Sequence, residues 1–185
     1  LVDLRTTADG RLQSLAVRQA PALDAQLNSH FQRLSARRVE ETWQVLSELE
    51  ALSTTSRYAS GTIRSSLFAA TDESGLPDAV AVQLAELFAG DIDFHRQLRK
   101  GDRFSLIYES LTADGEAVPW NQGAGRILAA EFLNDGRLYQ AIWFPSSAPE
   151  GGEYYDGEGR ARKRAFLASP LEFSRVTSGF ALRMH

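Results

Sequence analysis

Asp-Gly pairs punctuate this chain, among them Asp9-Gly10, Asp114-Gly115 and Asp135-Gly136. Both residue types tolerate the left-handed backbone that a tight hairpin turn demands, so a pair flanked by apolar runs commits its neighbours to antiparallel strands. Val2 to Gln19 reads as one hairpin, with Asp9-Gly10 at its turn. Arg103 to Leu111 reads as a strand running toward the second pair, and Ile127 to Leu133 is expected to pair with Leu138 to Phe144 across the third. Pro149, Gly151 and Gly152 mark Ser146 to Gly152 as a loop. Two stretches are less decisive. In Val39 to Leu52 the glutamates and spacing favour a helix, whereas Trp43 and Val45 alternate with polar neighbours as in a strand. Thr54 to Ser60 is small and polar and reads as a crossing between lobes.

Helix signals are confined to the middle of the chain. Ser65 or Ser66 caps a helix running to about Ser74, and Gly75 suits its left-handed termination. Pro77 fits the first turn of a second helix, with Asp78 near its positive end. Val80, Leu84, Leu87 and Phe88 fall on one face of that helix, and Gly90 ends it. A third short helical turn is expected over Phe94 to Leu98. The whole reads as an α+β fold: antiparallel sheets or a partial barrel, with two to three short helices packed on one side.

A chain of 185 residues, 43% of them hydrophobic, supplies one sizeable core or two small ones. The formal charge of −4 and pI near 5.4 argue against a nucleic-acid partner held by a broad basic surface. No apolar run approaches the roughly 18 residues needed to span a bilayer. With Leu1 in place of an initiator Met, any secretion signal or membrane anchor is expected to precede the sequence. Zero cysteines exclude disulfides and thiolate chemistry.

Candidate chemistry is sparse. Asp91, Asp93 and His95 form a D-x-D-x-H run whose side chains would share a face on an extended segment. Aspartates capping a short turn, with Phe94 entering the core, account for the same residues. Glu109, Glu116, Glu131 and Asp135 contain no pair whose spacing points to glycoside cleavage. Ser174, Ser178 and His185 lack the context of a nucleophile elbow. His30, His95 and His185 are too dispersed to make a set of three zinc ligands. No catalytic, cofactor-binding or metal-binding residue is therefore expected in this chain. Two basic clusters, Arg96, Arg99, Lys100 and Arg103, and Arg160, Arg162, Lys163 and Arg164, read as solvated surface, or alternatively as contacts for peptide carboxylates or for an acidic face of a neighbouring domain. Trp120, Tyr154 and Tyr155 either complete a core or stack on sugar rings.

The runs GTIRSSLFAA (61–70), GLPDAVAVQLAELFAGDIDFHRQLRKGDRF (75–104), GRILAAEFLNDGRLYQAIWF (125–144) and YYDGEGRARKRAFLASPLEFSRVTSGF (154–180) occur in that order. Together with the closing S-x-F-x-x-R-x-H pattern they resemble the region preceding the catalytic domain in lysostaphin/LytM-type zinc metallopeptidases (peptidase family M-twenty-three), bacterial murein endopeptidases of the envelope. That family's zinc-binding H-x-x-x-D and H-x-H motifs have no counterpart here, and His185 corresponds to a position that is not normally a metal ligand. The resemblance implies a β-rich lobe over 1–60, an α+β lobe over 61–175, and the start of a catalytic domain at 176–185. It also implies zinc in the longer protein only, a periplasmic or envelope location, and three partners: the downstream peptidase domain, peptidoglycan and an envelope regulator protein. The function so implied is a regulatory and positioning region of a zinc-dependent peptidoglycan endopeptidase, itself inert. The alternatives are a freestanding envelope module binding glycan or protein, and a small hydrolase built on Asp91, Asp93 and His95.

Overall fold

A computed structural model of the chain describes residues 2–147 and 151–162. Among these, eleven strands and two α-helices follow one another as β1 (Val2–Thr6), β2 (Leu12–Gln19), β3 (His30–Val39), β4 (Thr42–Ala51), β5 (Ser53–Thr62), α1 (Leu67–Glu73), α2 (Asp78–Phe88), β6 (Arg103–Ala113), β7 (Glu116–Ala117), β8 (Ala124–Asn134), β9 (Arg137–Pro145), β10 (Gly152–Tyr155) and β11 (Ala161–Arg162). One sheet has the order β1-β2-β3-β4; the other runs β11-β10-β9-β8-β6-β5, with β7 added on β6.

This balance corrects the α+β expectation. The described residues are mostly antiparallel sheet, with two α-helices of seven and eleven residues. The first 62 residues contain strands and no α-helix, including Thr42–Ala51, where helix and strand signals competed, and Ser53–Thr62, which reads in sequence as a crossing. The expected third helix over Phe94 to Leu98 is a set of turns. There the Asp93 carboxylate accepts from the backbone N–H groups of His95 and Arg96, and the Gln97 side chain accepts from Asp93 N. These bonds cap a single turn, which the chain does not extend into a helix.

Two of the expected hairpin turns form with both residues of the Asp-Gly pair in the left-handed region, whereas at Asp9-Gly10 only Gly10 takes a positive φ. Asp114 and Gly115 adopt φ of 53° and 84°, and Asp135 and Gly136 adopt 48° and 79°. Positive φ at both central residues gives a turn whose twist matches the flanking strands. Both helix starts also sit where expected: Ser66 Oγ accepts from Ala69 N at 3.2 Å, and α2 begins directly after Pro77.

The described residues divide into two compact units. The first comprises those up to Ala59 plus Leu106–Ala129; the second comprises Ser60–Ser105 and those from Ala130 onward. In the first, Phe31, Leu111, Ala113 and Val118 form a buried cluster, with Leu52 and Trp120 packed against it. In the second, Phe132 is a hub, touched by the rings of Phe88, Phe94 and Phe104 at centroid distances of 5.9, 5.5 and 6.4 Å. Val80, Leu84, Leu87 and Phe88 of α2 are all buried there. Residues 163–185, including the expected start of a catalytic domain at 176–185, lie outside the described residues.

Gly61 meets this second core without a side chain. A Cβ at this position would lie 2.5 Å from Cζ of Phe104, whose ring is buried. Gly61→Ala is expected to lower the unfolding free energy by about 1–3 kcal/mol through overpacking, read from urea melts. An unchanged midpoint would show that the Phe104 ring relaxes freely.

Candidate functional site

The four strands β1 to β4 make a two-faced sheet, because successive side chains point to opposite sides. Their register pairs Leu4 with Leu15, Leu15 with Ala36 and Ala36 with Val45, an apolar row crossing all four strands. Val2, Val17 and Leu34 form the next row, and Trp43 and Leu49 of β4 share the same face. This face is strongly exposed, with Leu4 at 63%, Val45 at 72% and Trp43 at 45% of full accessibility. Contiguous apolar surface of this kind marks a site of interaction.

The opposite face is charged. Arg18 and Arg33 are direct cross-strand partners, a like-charge pair that repels unless a counter-ion lies between them. Asp114, at the turn between β6 and β7, supplies it. Its carboxylate accepts from Arg18 Nε at 2.5 Å and from Arg33 Nη2 at 2.7 and 2.8 Å. Asp3 also pairs with Arg18, and Glu50 with Arg33. The hydrogen bond from Arg18 is the largest influence holding the Asp114 carboxyl below its usual range; burial opposes it, and the charges of Arg33 and Arg18 add to the lowering.

In the second unit, the buried Asp102 carboxylate accepts from Asn134 Nδ2 and Arg99 N at 2.7 Å and from Asp135 N at 2.9 Å. Asn134 also donates to Gln97 O. The turn of the β8–β9 hairpin is thereby fastened to the turn before β6. Arg162 is fastened similarly: it pairs with Asp91, donates to Gln140 O and Leu87 O, and stacks over Phe88.

These contacts absorb most of the sequence candidates. Asp91 is committed to Arg162, Asp93 caps its turn, and no group of three or more His, Asp or Glu suited to a metal exists among the described residues. Glu109 pairs with Arg126 at 3.4 Å, Glu131 accepts from Gln140, and Asp135 occupies a turn. Glu116 is exposed on β7. Ser174, Ser178, His185, Lys163 and Arg164 lie outside the described residues. Of the aromatic candidates, Tyr154 is buried beside Trp143, and Trp120 donates Nε1–H to Leu27 O at 2.9 Å; Tyr155 packs edge-on against Phe144. Sequence reasoning missed the apolar face, although Trp43 and Val45 alternate visibly, because the register of β1 to β4 had to be known first.

The fold has known relatives. Residues 53–182 match the family model described as the Csd3 second domain. The chain belongs to that family. It is 41% identical over 123 residues to the peptidoglycan DD-endopeptidase ShyC of Vibrio cholerae, covering 66% of this chain and 27% of that protein. With ShyA of the same organism, also named a peptidoglycan DD-endopeptidase, identity is 29% over 160 residues, covering 86% of this chain and 33% of ShyA. Among solved structures, Helicobacter pylori Csd3 superposes with a TM-score of 0.57 at 15% identity, over 87% of this chain and 40% of Csd3. A zinc-containing peptidase from Vibrio cholerae gives 0.53 at 20% identity, over 89% of this chain and 45% of that one. These two likenesses support the fold. The chain spans only about a quarter to a third of the curated relatives it matches. The match agrees with the resemblance to the region preceding an M-twenty-three catalytic domain.

Asp114→Asn keeps a residue that tolerates positive φ while removing the charge between Arg18 and Arg33. It is expected to cost about 1 kcal/mol at neutral pH, a figure held down by screening at a partly exposed carboxylate. Because the folded carboxyl titrates below its usual 3.8, its contribution is complete above that value and is lost as pH falls through the lower, folded one. The gap between wild type and variant in urea melts should therefore close on acidification below about pH 4. A gap that persists at lower pH would contradict this. In the second unit, Asp102→Ala strands Asn134 and two backbone donors and is expected to cost about 2–4 kcal/mol in the same melts; a loss near zero would show that water replaces the carboxylate.

Proposed function

We propose that this chain is a non-catalytic regulatory and positioning region of a zinc-dependent peptidoglycan endopeptidase acting in the bacterial envelope. The observation that carries this reading is the family match over residues 53–182, together with relatives named peptidoglycan DD-endopeptidases of which the matched stretch covers only 27% and 33%. Among the described residues, Asp91 pairs with Arg162, Glu109 pairs with Arg126, and Asp93 caps its turn. Zinc and the water-activating groups belong, on this reading, to the downstream peptidase domain.

The exposed apolar face of β1 to β4 is the surface by which the region meets that domain. Packing it against the peptidase domain removes Val2, Leu4, Trp43, Val45 and Leu49 from water, at about 25 cal/mol per Å² of apolar area. An interface of this kind gates a substrate groove when its closed and open arrangements differ by a few kcal/mol. Peptidoglycan then reaches the zinc only in the open arrangement, and an envelope regulator protein would act by favouring it.

The test compares this chain with the protein extended through its peptidase domain, measuring bound zinc and peptide release from purified sacculi. Zinc and release are expected only from the extended protein, and Val45→Glu within it is expected to raise release several-fold by weakening the closed interface. Cutting by this chain alone would refute the reading. Unchanged release by the Val45→Glu protein would refute gating through this face.

A further inference from the structure

The charged face of the β1–β4 sheet holds a second pair of arginines. Arg5 of β1 and Arg37 of β3 are both register partners of Ser14 on β2. They therefore flank one small hydroxyl residue, with backbones about 10 Å apart across two strand spacings. The fourth member of the row is the neutral Gln44. Both arginines are exposed, and among the described residues no carboxylate is paired with either. Asp3, the acid two residues from Arg5 on the same face, is engaged by Arg18. Ala16 and Ser35 continue a floor of small side chains along the sheet, and the whole lines a cleft of about 570 Å³.

The neighbouring clamp shows what such a pair takes. Arg18 and Arg33 close on one carboxylate, that of Asp114. Guanidinium forks match carboxylate geometry, and hydrogen bonds between two charged groups are the stronger ones. We propose that Arg5, Ser14 and Arg37 form a binding site for a free carboxylate of a short peptide, and that the peptide is a peptidoglycan stem. The guanidiniums grip the carboxylate from two sides, the Ser14 hydroxyl donates from below, and the small-residue floor receives the peptide backbone. The choice of a stem peptide rests on the endopeptidase reading above. A cleft of this volume suits a ligand of a few residues. The site would hold a stem on the sheet face opposite the apolar one, leaving the latter to its protein partner.

The test is calorimetric titration of the 185-residue chain with a synthetic stem tetrapeptide bearing free carboxylates. Binding is expected, weakening as salt rises. It should fall about tenfold in Arg5→Gln and in Arg37→Gln, and disappear for the fully amidated peptide. Both substituted side chains are exposed, so thermal melts should match wild type, and Arg11→Gln in the β1–β2 turn should bind normally. Absent binding, wild-type binding by Arg5→Gln or Arg37→Gln, or an equal loss in Arg11→Gln would overturn the site. Equal or tighter binding of an unrelated acidic L-peptide of the same length and charge would overturn the stem assignment in favour of an acidic protein partner. None of these results bears on zinc content or sacculus cleavage in the extended protein, so the endopeptidase reading stands or falls separately.

Discussion

Asp114 sits between two arginines that would otherwise repel each other. Arg18 lies 96 residues away in sequence and Arg33 lies 81 residues away, so the contact joins the β6–β7 turn to the β1–β4 sheet within the first unit. One residue meets two demands. Its backbone takes the left-handed turn conformation, and its carboxylate neutralises a cross-strand Arg pair. The hydrophobic cluster of Phe31, Leu111, Ala113 and Val118 draws on the same two chain segments. Apolar burial supplies the non-directional part of that association, and the clasp supplies its register.

The sheet so held has two chemically distinct faces, and the proposed function depends on that division. Alternation along β4 puts Trp43, Val45 and Leu49 on one side and Gln44, Glu48 and Glu50 on the other. A face of aliphatic and aromatic side chains suits a protein surface, while arginines set among small residues suit an anion. The second unit is organised differently, around Phe132, the buried Asp102 and Arg162 as internal fasteners. Among its described residues, Asp93, Asp102 and Asp156 hold turns through their carboxylates.

Local signals were legible where one or two residues decide the backbone. The turns at Asp114-Gly115 and Asp135-Gly136, the Ser66 cap and the start after Pro77 all follow from φ preference or from a single hydrogen bond. The turn between β3 and β4 was not legible, because it runs through Glu40 and Glu41, with Glu40 at φ 55°; neither residue type advertises a hairpin. Tertiary pairing made Thr42–Ala51 and Ser53–Thr62 strands despite their composition. At Phe94 to Leu98 the local rule misled, since Asp93 caps a single turn that is not extended into a helix. The two-arginine clasp and the role of Arg162 were hidden for another reason. Each joins residues more than 70 positions apart, and a basic cluster read along the chain says nothing about its partner across the fold.

The most direct measurement of the account is hydroxyl-radical footprinting of Trp43 and Leu49 in this chain and in the protein extended through its peptidase domain. Packing of the apolar β1–β4 face on that domain predicts strong protection of both residues in the extended protein only, with exposed Tyr58 of β5, outside this face, reacting equally in both. Equal reactivity of Trp43 and Leu49 in the two proteins would contradict the docking role of the face and, with it, gating by this region.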